Sequence, residues 1–184
     1  MLILASKSAS RRSMLDAAGV DYDSVPAEVD ERAIEANLNG ASGSEIALTL
    51  SRAKAAAVSA SHNKDLVLGS DSLVVVGGAR FDKPQSRLQA AEHLRAFSGQ
   101  LMELHSAAAL HLGGHEVWSG GDVARLHVRE LSDSFIEEYL DAEWPEVSYC
   151  AGVFRIEAIG VQLFERIEGD MFTVLGMPLL QVLR

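Results

Sequence analysis

Asp65-Leu-Val-Leu-Gly-Ser-Asp-Ser-Leu-Val-Val-Val76 sets two apolar arms on either side of Gly69-Ser70-Asp71-Ser72. Runs this rich in Val and Leu read as a buried strand. A carboxylate among them is costly unless it is paired, hydrogen-bonded or bound to a cation. Two readings satisfy the stretch taken alone. Gly69 to Ser72 forms the turn of a hairpin, with Ser70 and Asp71 satisfying nearby backbone groups, or Asp71 is a working carboxylate carried by a strand.

The whole chain narrows the classes. Its 184 residues, 48% hydrophobic, suffice for a substantial core and predict one domain, with room for two lobes. Sixteen basic against 26 acidic residues give a net charge of −10. That balance argues against general nucleic-acid binding, which draws its affinity from phosphate neutralisation, but leaves room for a small anion in a local basic pocket. No segment has the length of a membrane helix, and Met1-Leu-Ile-Leu-Ala-Ser-Lys7 lacks the basic lead and long apolar run of a signal peptide. The single cysteine, Cys150, excludes an internal disulfide and suits a reducing compartment. A cytoplasmic protein without membrane partners is expected.

Upstream of the opening stretch, residues 2–5 read as a strand that runs into Ser6-Lys-Ser-Ala-Ser-Arg-Arg12, followed by a helix from Ser13 to the break at Gly19. Hydroxyls, cations and free N–H groups at a helix start describe a phosphate site, and equally a capped helix with solvated charges. Residues 22–25 suggest another strand. The adjacent Asp30 and Glu31 are either solvated loop charges or a remote partner of Asp71 at a hard cation such as Mg²⁺. Ser42-Gly-Ser-Glu45 has capping-box spacing and opens a long Ala-rich helix to about Ala60, within which Lys54 falls.

Downstream, Gly77-Gly78 predicts a tight turn. Lys83 precedes Pro84, which confines it to extended backbone, and a helix is expected over 86–97. Three antiparallel strands are expected over 100–112, 116–119 and 123–128, joined at Gly113-Gly114 and Gly120-Gly121. Four of the six histidines fall here, at spacings that match no metal-ligand pattern. An amphipathic helix follows from about Ser132, then strand, turn and strand over 149–167, and a terminal helix with Pro178 at its first position. Cys150 reads as a packing residue.

Taken in order, these stretches resemble the Maf family, the septum-formation-inhibitor-like proteins, over essentially the whole chain. Leu4-Ala-Ser-Lys-Ser-Ala-Ser-Arg11 resembles the family's opening loop, with Ala9 where proline is usual. Val29-Asp-Glu31, Lys54-Ala55, Gly69-Ser-Asp71, Lys83-Pro84, Ser98-Gly99, Ala151-Gly152 and Leu175-Gly-Met-Pro-Leu179 follow in the family's order. The resemblance implies an α/β fold with a long mixed central sheet between two lobes and a cleft, similar to the inosine-triphosphate pyrophosphatase architecture. It implies hydrolysis of nucleoside triphosphates to monophosphate and pyrophosphate with a divalent ion, Mg²⁺ or Mn²⁺, as house-cleaning of the nucleotide pool. Asp71 matches the family's general base, Glu31 with Asp71 the metal carboxylates, and Ser6, Ser8, Arg11, Lys54 and Lys83 the phosphate-binding set. A homodimer is a further family-level expectation. The family's older name implies the alternative of a non-catalytic nucleotide sensor in cell division.

The positions that separate the family's branches are here Ser10, Ser72 and Glu157. A branch acting on dTTP and UTP carries Arg, Thr and Gln there, and one acting on 7-methyl-GTP carries Trp, Gln and Glu. The glutamate, together with Cys150-Ala-Gly and Leu163-Phe-Glu-Arg, resembles the second. A carboxylate at Glu157 accepts hydrogen bonds from a guanine-type edge, whereas a pyrimidine edge needs a group that both donates and accepts. A purine base is expected.

Overall fold

The computed structural model describes residues 1–184 and is α/β with a mixed seven-stranded sheet. Its strands are β1 Leu2–Leu4, β2 Tyr22–Ser24, β3 Leu66–Val76, β4 Ala79–Phe81, β5 Leu101–Leu112, β6 His115–Val128 and β7 Phe164–Glu168. They pair in the order β2-β1-β3-β5-β6-β7, with β4 added to β3. β1 is parallel to β2 and to β3, while β4 on β3 and β7 on β6 are antiparallel, so the expected long mixed sheet is present. The helices are α1 Ala9–Ala17, α2 Glu31–Ala36, α3 Gly43–Ser59, α4 Arg87–Phe97, α5 Asp133–Glu143, α6 Met171–Val174 and α7 Leu179–Val182. None is long and apolar enough to cross a membrane.

The chain forms two compact units, one of Met1–Ser72, His105–Val123 and Asp170–Arg184, the other of Leu73–Leu104 and Ala124–Gly169. In the first, the two-residue period of the strands sorts the core into two layers. Leu4 and Leu68 pack with Met14, Leu15, Ala108, Met177 and Leu179 on one face. Ile3, Ala5, Val67 and Ala109 pack with Ala55 and Val58 of α3 on the other. The predicted capping box starts α3: Ser42 accepts from the Glu45 N–H, and the Glu45 carboxylate accepts from the Ser42 N–H at 2.8 Å.

The second unit is built on α4 and α5, capped by Ser86 and Ser132. Leu94, Phe97, Ile136 and Leu140 are buried, and Arg87 joins the helices on the outside through Glu137 and Asp141. The Tyr139 hydroxyl donates to the Val153 carbonyl at 2.9 Å, and Arg155 pairs with buried Glu143 at 2.8 Å. Val153 has φ +55°, a conformation that a β-branched residue adopts only under constraint. These two contacts tie residues 153–155 to α5.

Of the two readings of the opening stretch the strand holds: β3 is unbroken, so Gly69-Ser70-Asp71-Ser72 is not a turn. Several expectations need correction. α1 starts at Ala9, which puts Ser10 and Arg11 on its first turn instead of in a loop. Glu31 opens the short helix α2. β6 runs straight through Gly120-Gly121, and no strand forms over 149–163, where one 3-10 turn ends at Tyr149 and another covers Ile159–Leu163. Pro178 caps α7 from outside its first residue.

Two imidazoles, His111 buried and His93 half-buried, give stability a pH dependence. Both ring nitrogens of His111 and Nδ1 of His93 are buried without a hydrogen-bond partner, and burial lowers both pKa values from 6.5. The unfolded chain therefore binds more protons than the folded one below about pH 6.5, so this contribution is fully present above that pH and is lost as pH falls. Urea midpoints are expected to decline between pH 7.5 and 5.5, above the range where carboxylates titrate. The decline is expected to flatten in a His93→Phe, His111→Leu double variant, and an unchanged slope there excludes these two groups as the cause.

Candidate active site

The site begins where β1 stops. β1 pairs with β3 only as far as Leu4 opposite Leu68, and β3 continues beyond it. Because β1 lies between β2 and β3, the chain leaves its carboxyl end toward one neighbour and returns on the other. Open α/β sheets bind ligands at such a switch point. The α1 N-terminus lies directly after β1, adding free N–H groups and a partial positive charge.

On one face, α3 brings Lys54 to the strand. Lys54 Nζ lies 2.5 Å from Asp71 Oδ1 and 2.9 Å from Glu31 Oε1. Gly69 makes this possible: a Cβ there would collide with the Ser51 carbonyl and lie 2.5 Å from the Ala55 nitrogen, so only glycine lets α3 settle this close. Side-chain exposure is 9% for Asp71, 12% for Lys54 and 45% for Glu31, which grades the trio from interior to solvent. The acidic pair of the sequence is also resolved. Asp30 caps α2 by accepting from the Ala33 N–H at 3.0 Å, which leaves Glu31 to meet Lys54.

The opposite face holds the serine loop. Ser8 caps α1, its N–H donating to Ser6 Oγ at 3.1 Å and its hydroxyl accepting from the Arg11 N–H. Arg11 is buried, and its guanidinium donates to Ser6 Oγ, Ser72 Oγ and the Gly176 carbonyl at 3.3, 3.3 and 3.0 Å. Burial pulls its pKa down against the opposing pull of Asp71 and Glu31, and a guanidinium stays charged throughout. Ser10 donates to the Leu175 carbonyl at 2.7 Å. Ser70 donates to the Ala107 carbonyl at 2.8 Å, fixing β3 to the neighbouring strand.

Eight of the ten predicted positions therefore gather in the first unit: Ser6, Ser8, Ser10, Arg11, Glu31, Lys54, Asp71 and Ser72. Lys83 and Glu157 belong to the second and are both exposed there. Cys150 feels both charges: burial and Glu157 raise its pKa while Lys83 opposes them, which keeps the thiol protonated and unreactive. Sequence reasoning missed the closing loop as a brace. The Leu175 and Gly176 carbonyls hold Ser10 and Arg11, and Gly176 reaches this position at φ +103°. Its signal was the Gly-Met-Pro sequence, noted only as a motif.

Two carboxylates within reach of one ammonium are close enough to share one small cation. No group of three or more His, Cys, Asp or Glu side chains converges anywhere in the chain. The donor set thus fits a hard ion such as Mg²⁺, which takes one or two carboxylates and completes its shell with water and substrate phosphates. Glu31 and Asp71 would hold it.

A family model described as Maf-like protein matches residues 1–184. A nucleoside triphosphate pyrophosphatase of Nitrobacter hamburgensis is 44% identical over 182 residues, covering 99% of this chain and 90% of its own. A 7-methyl-GTP pyrophosphatase of Rhizobium meliloti is 42% identical over 185 residues, covering 100% and 93%. Among solved structures, a dITP/XTP pyrophosphatase of Mycobacterium abscessus aligns over 71% of this chain and 74% of its own, at 20% identity and a TM-score of 0.41.

Proposed function

Because this chain belongs to the Maf-like protein family, we propose that it is a nucleoside triphosphate pyrophosphatase that releases monophosphate and pyrophosphate, with Asp71 as the group that acts on water. The carrying observation is the Lys54 ammonium between Asp71 and Glu31. In the reaction a water oxygen attacks the α-phosphorus in line. The bond to the bridging oxygen breaks, and pyrophosphate leaves with that oxygen. The Asp71 carboxylate orients the water and takes its proton. Lys54, the serine-loop hydroxyls and the N–H groups of α1 face the phosphate oxygens, where charge spreads in the transition state. A divalent ion, Mg²⁺ in this reading, adds Lewis-acid polarisation when bound.

Arg11 enters this reading chiefly as the group that shapes the serine loop, because it joins Ser6, Ser72 and the closing loop. Lys83 and Glu157 keep the roles that the family resemblance implies for them, phosphate binding and base selection. Purified protein with Mg²⁺ is expected to release pyrophosphate from a nucleoside triphosphate as its first product. Orthophosphate appearing first defeats the reading, and tight triphosphate binding without turnover across a full panel returns the chain to a sensor role.

One relative above is named for nucleoside triphosphates in general and the other for 7-methyl-GTP, and in this reading Glu157 selects between base classes. We propose a purine, methylated purines included, because a carboxylate only accepts hydrogen bonds. Glu157→Gln is expected to shift the purine-to-pyrimidine ratio of kcat/KM by roughly tenfold toward pyrimidines, since the changed edge leaves a polar group unpaired. An unchanged ratio across a panel of standard, methylated and deaminated triphosphates removes the argument.

A further inference from the structure

We infer that Lys54 occupies the place of the divalent ion on Glu31 and Asp71 and gives it up only to a triphosphate, so that metal and nucleotide load as a coupled pair. The inference rests on the pyrophosphatase reading and adds an order of binding to it. A hard cation at this site must use the two carboxylates that one Nζ already contacts, at 2.5 and 2.9 Å. An ammonium and a divalent ion on the same pair of carboxylates repel each other strongly in a poorly solvated site. They therefore exclude one another.

With Lys54 at 12% and Asp71 at 9% side-chain exposure, salt screens this pair poorly, and Lys54 does not drift off it as a surface lysine would. Only another anion compensates the ammonium for leaving. A phosphate oxygen does so, and the compact charge on a flexible stem suits the exchange. Arg11 is held in the serine loop by three of its five N–H groups, which donate to Gly176, Ser6 and Ser72. A triphosphate that draws Lys54 away frees both carboxylates for the ion. By linkage, the ion then tightens nucleotide binding by the same factor.

The test is direct Mn²⁺ binding, followed by loss of the free-ion electron paramagnetic resonance signal, with and without an α,β-methylene analogue of GTP. Wild-type protein is expected to bind Mn²⁺ weakly alone and more tightly with the analogue. Lys54→Met is expected to bind Mn²⁺ alone about tenfold more tightly than wild type, with a smaller further gain from the analogue. Lys54→Gln, which keeps a polar side chain, provides the same comparison if the methionine variant folds poorly. Equal Mn²⁺ affinity in wild type and the folded lysine variant overturns the exchange while leaving the pyrophosphatase reading intact. No Mn²⁺ binding by either protein, even with the analogue, overturns the metal-assisted reading and this inference together.

Discussion

Asp71→Asn is expected to lower pyrophosphate release by roughly 10²–10⁴-fold while leaving the fold in place. The asparagine oxygen occupies the position of Oδ1 and still accepts from Lys54 Nζ, which keeps its second partner Glu31. What disappears is the negative charge that orients a water and accepts its proton. Pyrophosphate release and thermal unfolding should therefore separate, the first collapsing and the second shifting little. A variant within tenfold of wild type assigns the base to another group, and one that loses activity only by unfolding says nothing for Asp71 as base. Glu31→Gln differs in kind. Glu31 is half-exposed at the end of the trio, so its loss is expected to raise the metal concentration needed for half-maximal rate more than it lowers the limiting rate.

The parts of this structure that were readable in the sequence are those whose causes are local. α3 follows from a capping box four residues long, and α4 and α5 from a serine followed by apolar residues at helical spacing. Asp71 stood out because a carboxylate within a Val and Leu run demands a partner. Its setting was not readable. Gly-Ser-Asp-Ser has turn chemistry in isolation, and it is kept extended by groups distant in the chain: Ala107 accepts from Ser70, Lys54 meets Asp71, and the backbone of α3 rests on Gly69.

The other misreadings share that origin. Gly120 and Gly121 looked like a break between strands but mark close approaches inside β6. A Cβ at Gly121 would lie 3.1 Å from the Ser106 carbonyl, and one at Gly120 would meet the Trp118 ring at 2.8 Å. A glycine in a strand signals crowding as readily as a turn, and only the neighbour decides which. Over 149–163 the apolar alternation suggested a strand, yet Gly152 packs on Phe154, Gly160 packs on Arg155 and Val153 is held at positive φ by the Tyr139 contact. Periodicity carries no information about such contacts. The family resemblance carried none about 149–163 either, but it implied the grouping of Ser6, Arg11, Lys54 and Asp71 that spacing alone left as separate possibilities.

Gly69→Ala is expected to be the most damaging single methyl addition in the first unit. The new Cβ would sit 2.5 Å from the Ala55 nitrogen and 2.9 Å from the Ala55 Cβ, and would collide with the Ser51 carbonyl. Backbone atoms cannot rotate away, so relief requires α3 to move off β3 as a body. Overpacking of this kind costs about 1–3 kcal/mol, and the backbone contacts place this site at the upper end. The urea midpoint is expected to fall accordingly with an unchanged slope. Lifting α3 also draws Lys54 from Asp71, so kcat/KM should drop even at temperatures where the variant stays folded. Adding Ala55→Gly removes one of the three collisions and keeps the two backbone ones, and it should restore little. Full restoration by that second change would place the strain in the Ala55 side chain, and an unshifted midpoint in Gly69→Ala would mean that α3 does not rest on this glycine at all.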